Sequence, residues 1–138
     1  MNQHTLKYSR YLFVYGTLMQ QSDHEMSVFL KSHSKYLGNA CFQGKLYDVT
    51  EFPGAILSKD SNDKVYGQIF ELDAPETVFE VLDPYEGIDK RLNPPYLYTR
   101  TLVKANLENN ETIATWIYLY NLSVSHLKRI PSGRYFDY

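Results

Sequence analysis

YLYTRTLVKANLENNETIATWIYLY, residues 96–120, contains two runs crowded with β-branched and aromatic side chains, Tyr96–Lys104 and Thr112–Tyr120. Such residues suit a pleated, half-buried surface. Between the runs lies Asn109-Asn110, a pair that tolerates the backbone of a tight turn. This predicts a long β-hairpin. Outward toward the N-terminus, Val65–Leu72 (VYGQIFEL) alternates as a strand, and Asp60–Asp63 is a hairpin loop. Ala55-Ile56-Leu57 is a short strand after the turn Phe52-Pro53-Gly54, and Gly38–Val49 is another. Gly44 interrupts that last one, which implies a bulge or a close backbone approach. Residues 11–18, YLFVYGTL, form a sixth strand, central because both faces are apolar.

Helical signals are few. Ser22-Asp23-His24-Glu25 has capping-box spacing and predicts a short helix through about Lys31, with Met26, Phe29 and Leu30 inward. Asp73-Ala74-Pro75-Glu76 starts a second helix, with Asp73 as the cap and Val78, Phe79, Leu82 and Tyr85 at helical spacing. Pro84 should disturb its end. Residues 31–35 and 88–95 read as loops, and the tail IPSGRYFDY as turn-rich. Two short helices are too few for a doubly wound sheet. The pattern therefore predicts a mixed or barrel-like α+β domain.

The chain has 138 residues, the length of a single domain spanning 1–138, and a net charge of −2. Acids and bases are scattered, with no basic stripe to neutralise phosphates, which argues against nucleic acid. Apolar runs are too short for a bilayer, and MNQHTLKYSR has no apolar signal-peptide region. A lone cysteine, Cys41, agrees with a reducing cytoplasm. The 13 tyrosines combine apolar rings with polar tips. The four histidines lack metal-ligand spacing and read as surface residues, so no metal is expected. No serine occupies a G-x-S-x-G turn and no glycine pattern suits a phosphate.

Two stretches carry candidate chemistry. In LDPYEG, Glu86 follows an interrupted helix and precedes a glycine. A carboxyl held there against apolar walls would ionise near neutrality and could serve as a general acid or base. An exposed glutamate in a helix-ending turn fits the same spacing. In YGTL, amides left unpaired at a strand end could hold a carboxylate or carbonyl oxygen, with Thr17 as an added donor. A plain strand exit fits that spacing too. Arg100, in a strand otherwise rich in aromatics, faces solvent or pairs with a nearby carboxylate.

The ordered set VYGTL, GKLYDVTEFPGAI, VYGQIFEL, LDPYEG and YLYTR resembles the gamma-glutamylcyclotransferase-like superfamily, in particular its AIG2-like branch and the gamma-glutamylamine cyclotransferases. The likeness runs from about Leu12 to Tyr120. It implies a small mixed β-barrel of about six strands with two or more short flanking helices. It also implies a substrate-holding loop at Tyr15, Gly16, Thr17 and Leu18, a catalytic glutamate at Glu86, and a further substrate-binding tyrosine at Tyr98, with Tyr96 the second choice. The implied reaction is a transferase- or lyase-type cyclisation that releases 5-oxoproline from a small gamma-glutamyl substrate, without cofactor. The rival expectations are a barrel that binds a small metabolite without turnover, and an interaction protein that docks through its aromatic tail. Selectivity for the leaving amine is expected in the loop Ile88–Pro95 and the pocket rim.

Overall fold

The structure, a computed structural model, describes residues 9–16, 18–19, 24–50, 52–89 and 91–136. Its elements run β1 (Tyr11–Val14), α1 (Glu25–Ser32), β2 (Ser34–Asp48), β3 (Pro53–Leu57), β4 (Lys64–Leu72), α2 (Pro75–Tyr85), β5 (Tyr98–Leu107), β6 (Thr112–Tyr120) and β7 (Lys128–Arg129). The β5–β6 hairpin pairs Tyr98 with Tyr120 and continues to Asn106 with Thr112. Asn110 takes the left-handed turn conformation at φ 69°.

Five strands close into a barrel in the order β2-β4-β1-β6-β5, with β5 returning to β2 through Ala40 opposite Leu107 and Cys41 opposite Asn106. The β1–β6 contact is parallel and the other pairings are antiparallel. Past Gln43, β2 leaves β4 and takes β3 and then β7 as partners. The fold is thus the α+β barrel that the resemblance implied, with a seventh, two-residue strand just before the tail.

The strand alternation sorts side chains into two cores. Phe13, Tyr15, Phe42, Val65, Ile69, Ala105, Ile117 and Leu119 come from all five barrel strands and fill the interior. Leu12, Val14, Phe70, Leu72, Tyr118 and Tyr120 point the other way and meet Leu30 of α1 and Val78, Phe79 and Leu82 of α2. This is why β1 is apolar on both faces. Each fully buried side chain of this size contributes about 1.5–3 kcal/mol, so the three residues of α2 are enough to seat that helix on the barrel wall.

Several boundaries differ from the sequence reading. β1 stops at Val14 rather than Leu18. Helix α1 is capped by His24, whose Nδ1 accepts from the Met26 amide at 3.1 Å; Ser22 and Asp23 lie outside the described residues. The segment read as a solvated loop at 31–35 is the end of α1 and the start of β2, with only His33 between them. Helix α2 has Ala74, not Asp73, at its N-cap, and it continues through Pro84 to Tyr85. The irregularity in β2 falls between Tyr36 and Gly38, whereas Gly44 marks a close approach: a Cβ there would lie 2.6 Å from the Ile56 carbonyl oxygen. The tail is folded back. The Tyr66 amide of β4 donates to the Gly133 carbonyl at 2.8 Å, and Tyr135 packs on the interior core. No helix among the described residues is long and apolar enough to cross a membrane.

Candidate active site

Helix α2 ends in a Schellman motif. The Ile88 amide donates to the Asp83 carbonyl at 2.8 Å and the Gly87 amide to the Pro84 carbonyl at 3.0 Å. This reversal requires positive φ at the residue after the cap, and Gly87 supplies it at +86°. Glu86 is the capping residue, at φ −84° and ψ 6°. Its amide is tied to the Leu82 carbonyl at 2.9 Å. The glutamate is thereby held at a defined point where the chain turns off the helix.

Glu86 lines a cavity of about 460 Å³ with Tyr15, Gly16, Leu18, Tyr98 and Tyr118. Phe52, Pro53 and Leu97 complete its apolar side, and His24 and Tyr85 stand at its rim with ring centroids 5.4 Å apart. The end of β1 approaches β3 closely here. A Cβ on Gly16 would come within 2.7 Å of Pro53 Cγ, so the glycine makes room for the protein's own proline. The Met19 amide closes the following turn on the Gly16 carbonyl at 3.0 Å.

The two tyrosines of the predicted set use their hydroxyls as struts. Tyr98 Oη donates to the Pro53 carbonyl at 2.6 Å. Tyr15 Oη donates to the Tyr118 carbonyl at 2.6 Å and accepts from the Ala55 amide at 3.2 Å. Burial, and then the proximity of Glu86, push the Tyr15 hydroxyl far above the usual tyrosine range. Burial, and then Tyr15 and Glu86, do the same to Tyr98. Both stay protonated as donors, and their rings form walls.

Burial pushes the Glu86 carboxyl up to about 7, and the nearby Asp83 carboxylate adds to the effect. Its place at a helix C-terminus, the negative end of the dipole, acts in the same direction. Asp83 is itself held from two sides. Its Oδ1 accepts from Tyr118 Oη at 2.6 Å and from Arg100 Nε at 2.9 Å. The Arg100 guanidinium lies over the rings of Phe79 and Trp116, 3.9 and 4.6 Å from their centroids.

Tyr15, Gly16, Leu18, Glu86 and Tyr98, far apart in sequence, thus meet at one cavity. Thr17 lies outside the described residues. Tyr96 is not on the cavity; its carbonyl accepts from Asn121 Nδ2 at 2.9 Å. Nor does the loop Ile88–Pro95 line it among the described residues, since only its neighbours Gly87 and Leu97 do. The Schellman turn carries the chain toward the Arg100 side, where Ile88, Asp89 and Arg91 line a separate cavity. Sequence reasoning missed Tyr118 and His24. Tyr118 was accessible in principle, because hairpin register sets it opposite Arg100. His24 carried no signal beyond its place at a helix start.

Comparison with known proteins bears on the fold and the family. The profile of the family described as "Gamma-glutamyl cyclotransferase, AIG2-like" matches residues 12–137. Among solved structures, YkqA from Bacillus subtilis superposes with a TM-score of 0.69 at 21% identity, covering 94% of this chain. The chain spans only 40% of that protein. An AIG2-like protein from Mus musculus gives a TM-score of 0.67 at 20% identity, over 91% of this chain and 87% of that one. The protein ytfP from Escherichia coli gives 0.61 at 28% identity, over 92% and 96%. Among curated proteins nothing matches. With a family profile covering nearly its whole length and the same barrel in its structural neighbours, this chain belongs to the AIG2-like gamma-glutamyl cyclotransferase family.

Proposed function

We propose that the protein is a cyclotransferase that releases 5-oxoproline and a free amine or amino acid from a small gamma-glutamyl substrate, with Glu86 as the general acid/base. The observation that carries this reading is a carboxyl with a pKa raised to about 7, held on a rigid turn and facing a cavity walled by tyrosine and apolar side chains. A group poised near neutrality can both accept and return a proton.

The substrate's α-amine attacks its own γ-carbonyl carbon, forming the ring C–N bond. Glu86 takes the proton that the amine must lose. The tetrahedral intermediate then collapses, the original amide C–N bond breaks, and Glu86 returns the proton to the departing nitrogen. No external nucleophile is consumed. Gly16, Thr17 and Leu18 are assigned to hold the substrate's carboxylate or to meet the oxyanion through their amides. Tyr15 and Tyr98 confine the glutamyl chain with their rings, which favours the folded conformer needed for ring closure. We read the chain as one domain. A reducing cytoplasm suits its single free Cys41.

The test is 5-oxoproline release from a gamma-glutamyl dipeptide, a gamma-glutamylamine, glutathione and gamma-glutamyl-ε-lysine. Wild-type release that Glu86→Gln abolishes, with the fold retained, is the expected result. Full turnover in the variant ends the assignment. Binding of these compounds without turnover by wild type points instead to a metabolite-binding barrel.

A further inference from the structure

Asp83 and Glu86 stand three residues apart on the last turn of α2, a spacing that puts both carboxylates on one side of the helix. Asp83 lies between two neighbourhoods. Its partner Tyr118 lines the Glu86 cavity, while its partner Arg100 lines a neighbouring cavity with Phe79 and Trp116. Arg100 and Tyr118 are cross-strand neighbours in the β5–β6 register, so one hairpin presents a guanidinium and a phenol to the same carboxylate. Arg100 closes the arrangement with a second bond, Nη2 to Asp83 Oδ2 at 3.3 Å. With two donors to one oxygen and a third bond to the other, the carboxylate has little freedom to turn.

We propose that Asp83 is a positioning residue for the chemistry of Glu86: clamped by Arg100 and Tyr118, its fixed negative charge adds to burial in raising the pH at which Glu86 takes up its proton. The inference rests on the acid/base reading of Glu86. The other groups facing Glu86 are Tyr15 just past β1, His24 before α1, Tyr85 on α2, Tyr98 on β5 and Tyr118 on β6. Phenols do not ionise near neutrality, and histidine alone among these side-chain types ordinarily does. Asp83 is therefore the anionic group at hand that raises the affinity of Glu86 for a proton, and Arg100 limits how far it does so.

The clamp also explains an arginine among aromatics. An unpaired carboxylate in this position would repel Glu86 at full strength, and an unpaired Arg100 would leave a charge half-buried between two rings. Asp83→Asn keeps an oxygen that can accept from Tyr118 and Arg100 but removes the charge. Arg100→Met keeps the apolar stem and leaves the Asp83 charge unbalanced. A purely structural clamp would weaken folding in both variants without moving the proton affinity of Glu86. An electrostatic role moves it in opposite directions.

The experiment is carbon NMR titration of the glutamate side-chain carboxyls in the intact protein, with the Glu86 signal assigned by its loss in Glu86→Gln. The wild-type midpoint is expected at about 7. Asp83→Asn should lower it by roughly one pH unit and Arg100→Met should raise it by a similar amount. The acidic limb of kcat/KM should follow in each case. An unchanged midpoint in Asp83→Asn overturns the proposal, and if Arg100→Met fails to fold, Asp83→Asn decides alone. Shifted midpoints in a protein that turns over no gamma-glutamyl compound uphold the electrostatic link and sink the cyclotransferase reading, so the two ideas fail separately.

Discussion

The hydroxyl of Tyr98 donates to the carbonyl of Pro53 over 2.6 Å, joining the first residue of β5 to the first residue of β3. Pro53 in turn fills the space that Gly16 leaves open. The position of the β1 loop, and with it one wall of the cavity, therefore depends on a hydroxyl more than 80 residues away in sequence. Removing that hydroxyl by Tyr98→Phe should leave the Pro53 carbonyl without its partner and cost about 1–3 kcal/mol. Urea unfolding measures this. The cavity wall should loosen as well, so kcat/KM for a gamma-glutamyl substrate should fall more than the loss of folded protein accounts for.

Gly16→Ala tests the same wall from the other side. Its Cβ would sit 2.7 Å from Pro53 Cγ, a distance that forces movement of β3 or of the loop. Overpacking of this kind costs about 1–3 kcal/mol. A lower denaturant midpoint, with reduced substrate affinity, is the expected outcome. Unchanged values in both measurements would mean that the loop has room to relax.

Gly87→Ala isolates backbone conformation. The nearest atom to an added Cβ is Leu97 Cβ at 3.8 Å, so space is available, but φ is +86°. The expected cost is about 1 kcal/mol, the ordinary penalty for a left-handed L-residue. Gly87→Asn should recover part of it, since asparagine tolerates this region. Thermal denaturation of the two variants side by side gives the answer.

Glu86 makes stability depend on pH. Its folded-state pKa of about 7 lies above the ordinary value of 4.5. The protonated form is thus favoured by folding, and that contribution is complete below about pH 4.5 and disappears as pH rises through about 7. Glu86→Gln, which cannot ionise, escapes the loss. At pH 8 the variant should be more stable than wild type by about 2 kcal/mol, allowing for partial solvent screening at the cavity, and at pH 4 the two should converge. Denaturant unfolding at both pH values checks the sign. A variant less stable than wild type at pH 8 would contradict the burial of this carboxyl.

The sequence carried the strands, the two helices and the pairing of YGTL with YEG. Alternation along a strand and recurrence along a helix are local patterns, set by which side chains share a face. They were enough to expect a mixed barrel-like domain, and the family resemblance closed it into a small barrel. Element ends were less legible because they depend on partners. β1 stops at Val14 because its register with β4 ends at Gln68, and α2 tolerates Pro84 because its last turn is secured by amides beyond the proline.

By itself, then, the sequence determined the main extended and helical segments, which faces are apolar, and where a carboxyl and a glycine-hydroxyl loop occur. Only the tertiary structure decided that β5 returns to β2, that β1 lies parallel to β6, and that Glu86 shares a cavity with Tyr15 and Tyr98. It alone decided that the tyrosine hydroxyls serve as struts and that Arg100 meets Asp83 beside Tyr118. The reason is physical. Periodicity records how each segment divides its side chains between two faces, whereas the pairing of distant segments, and the field at a buried carboxyl, arise from the whole packed chain.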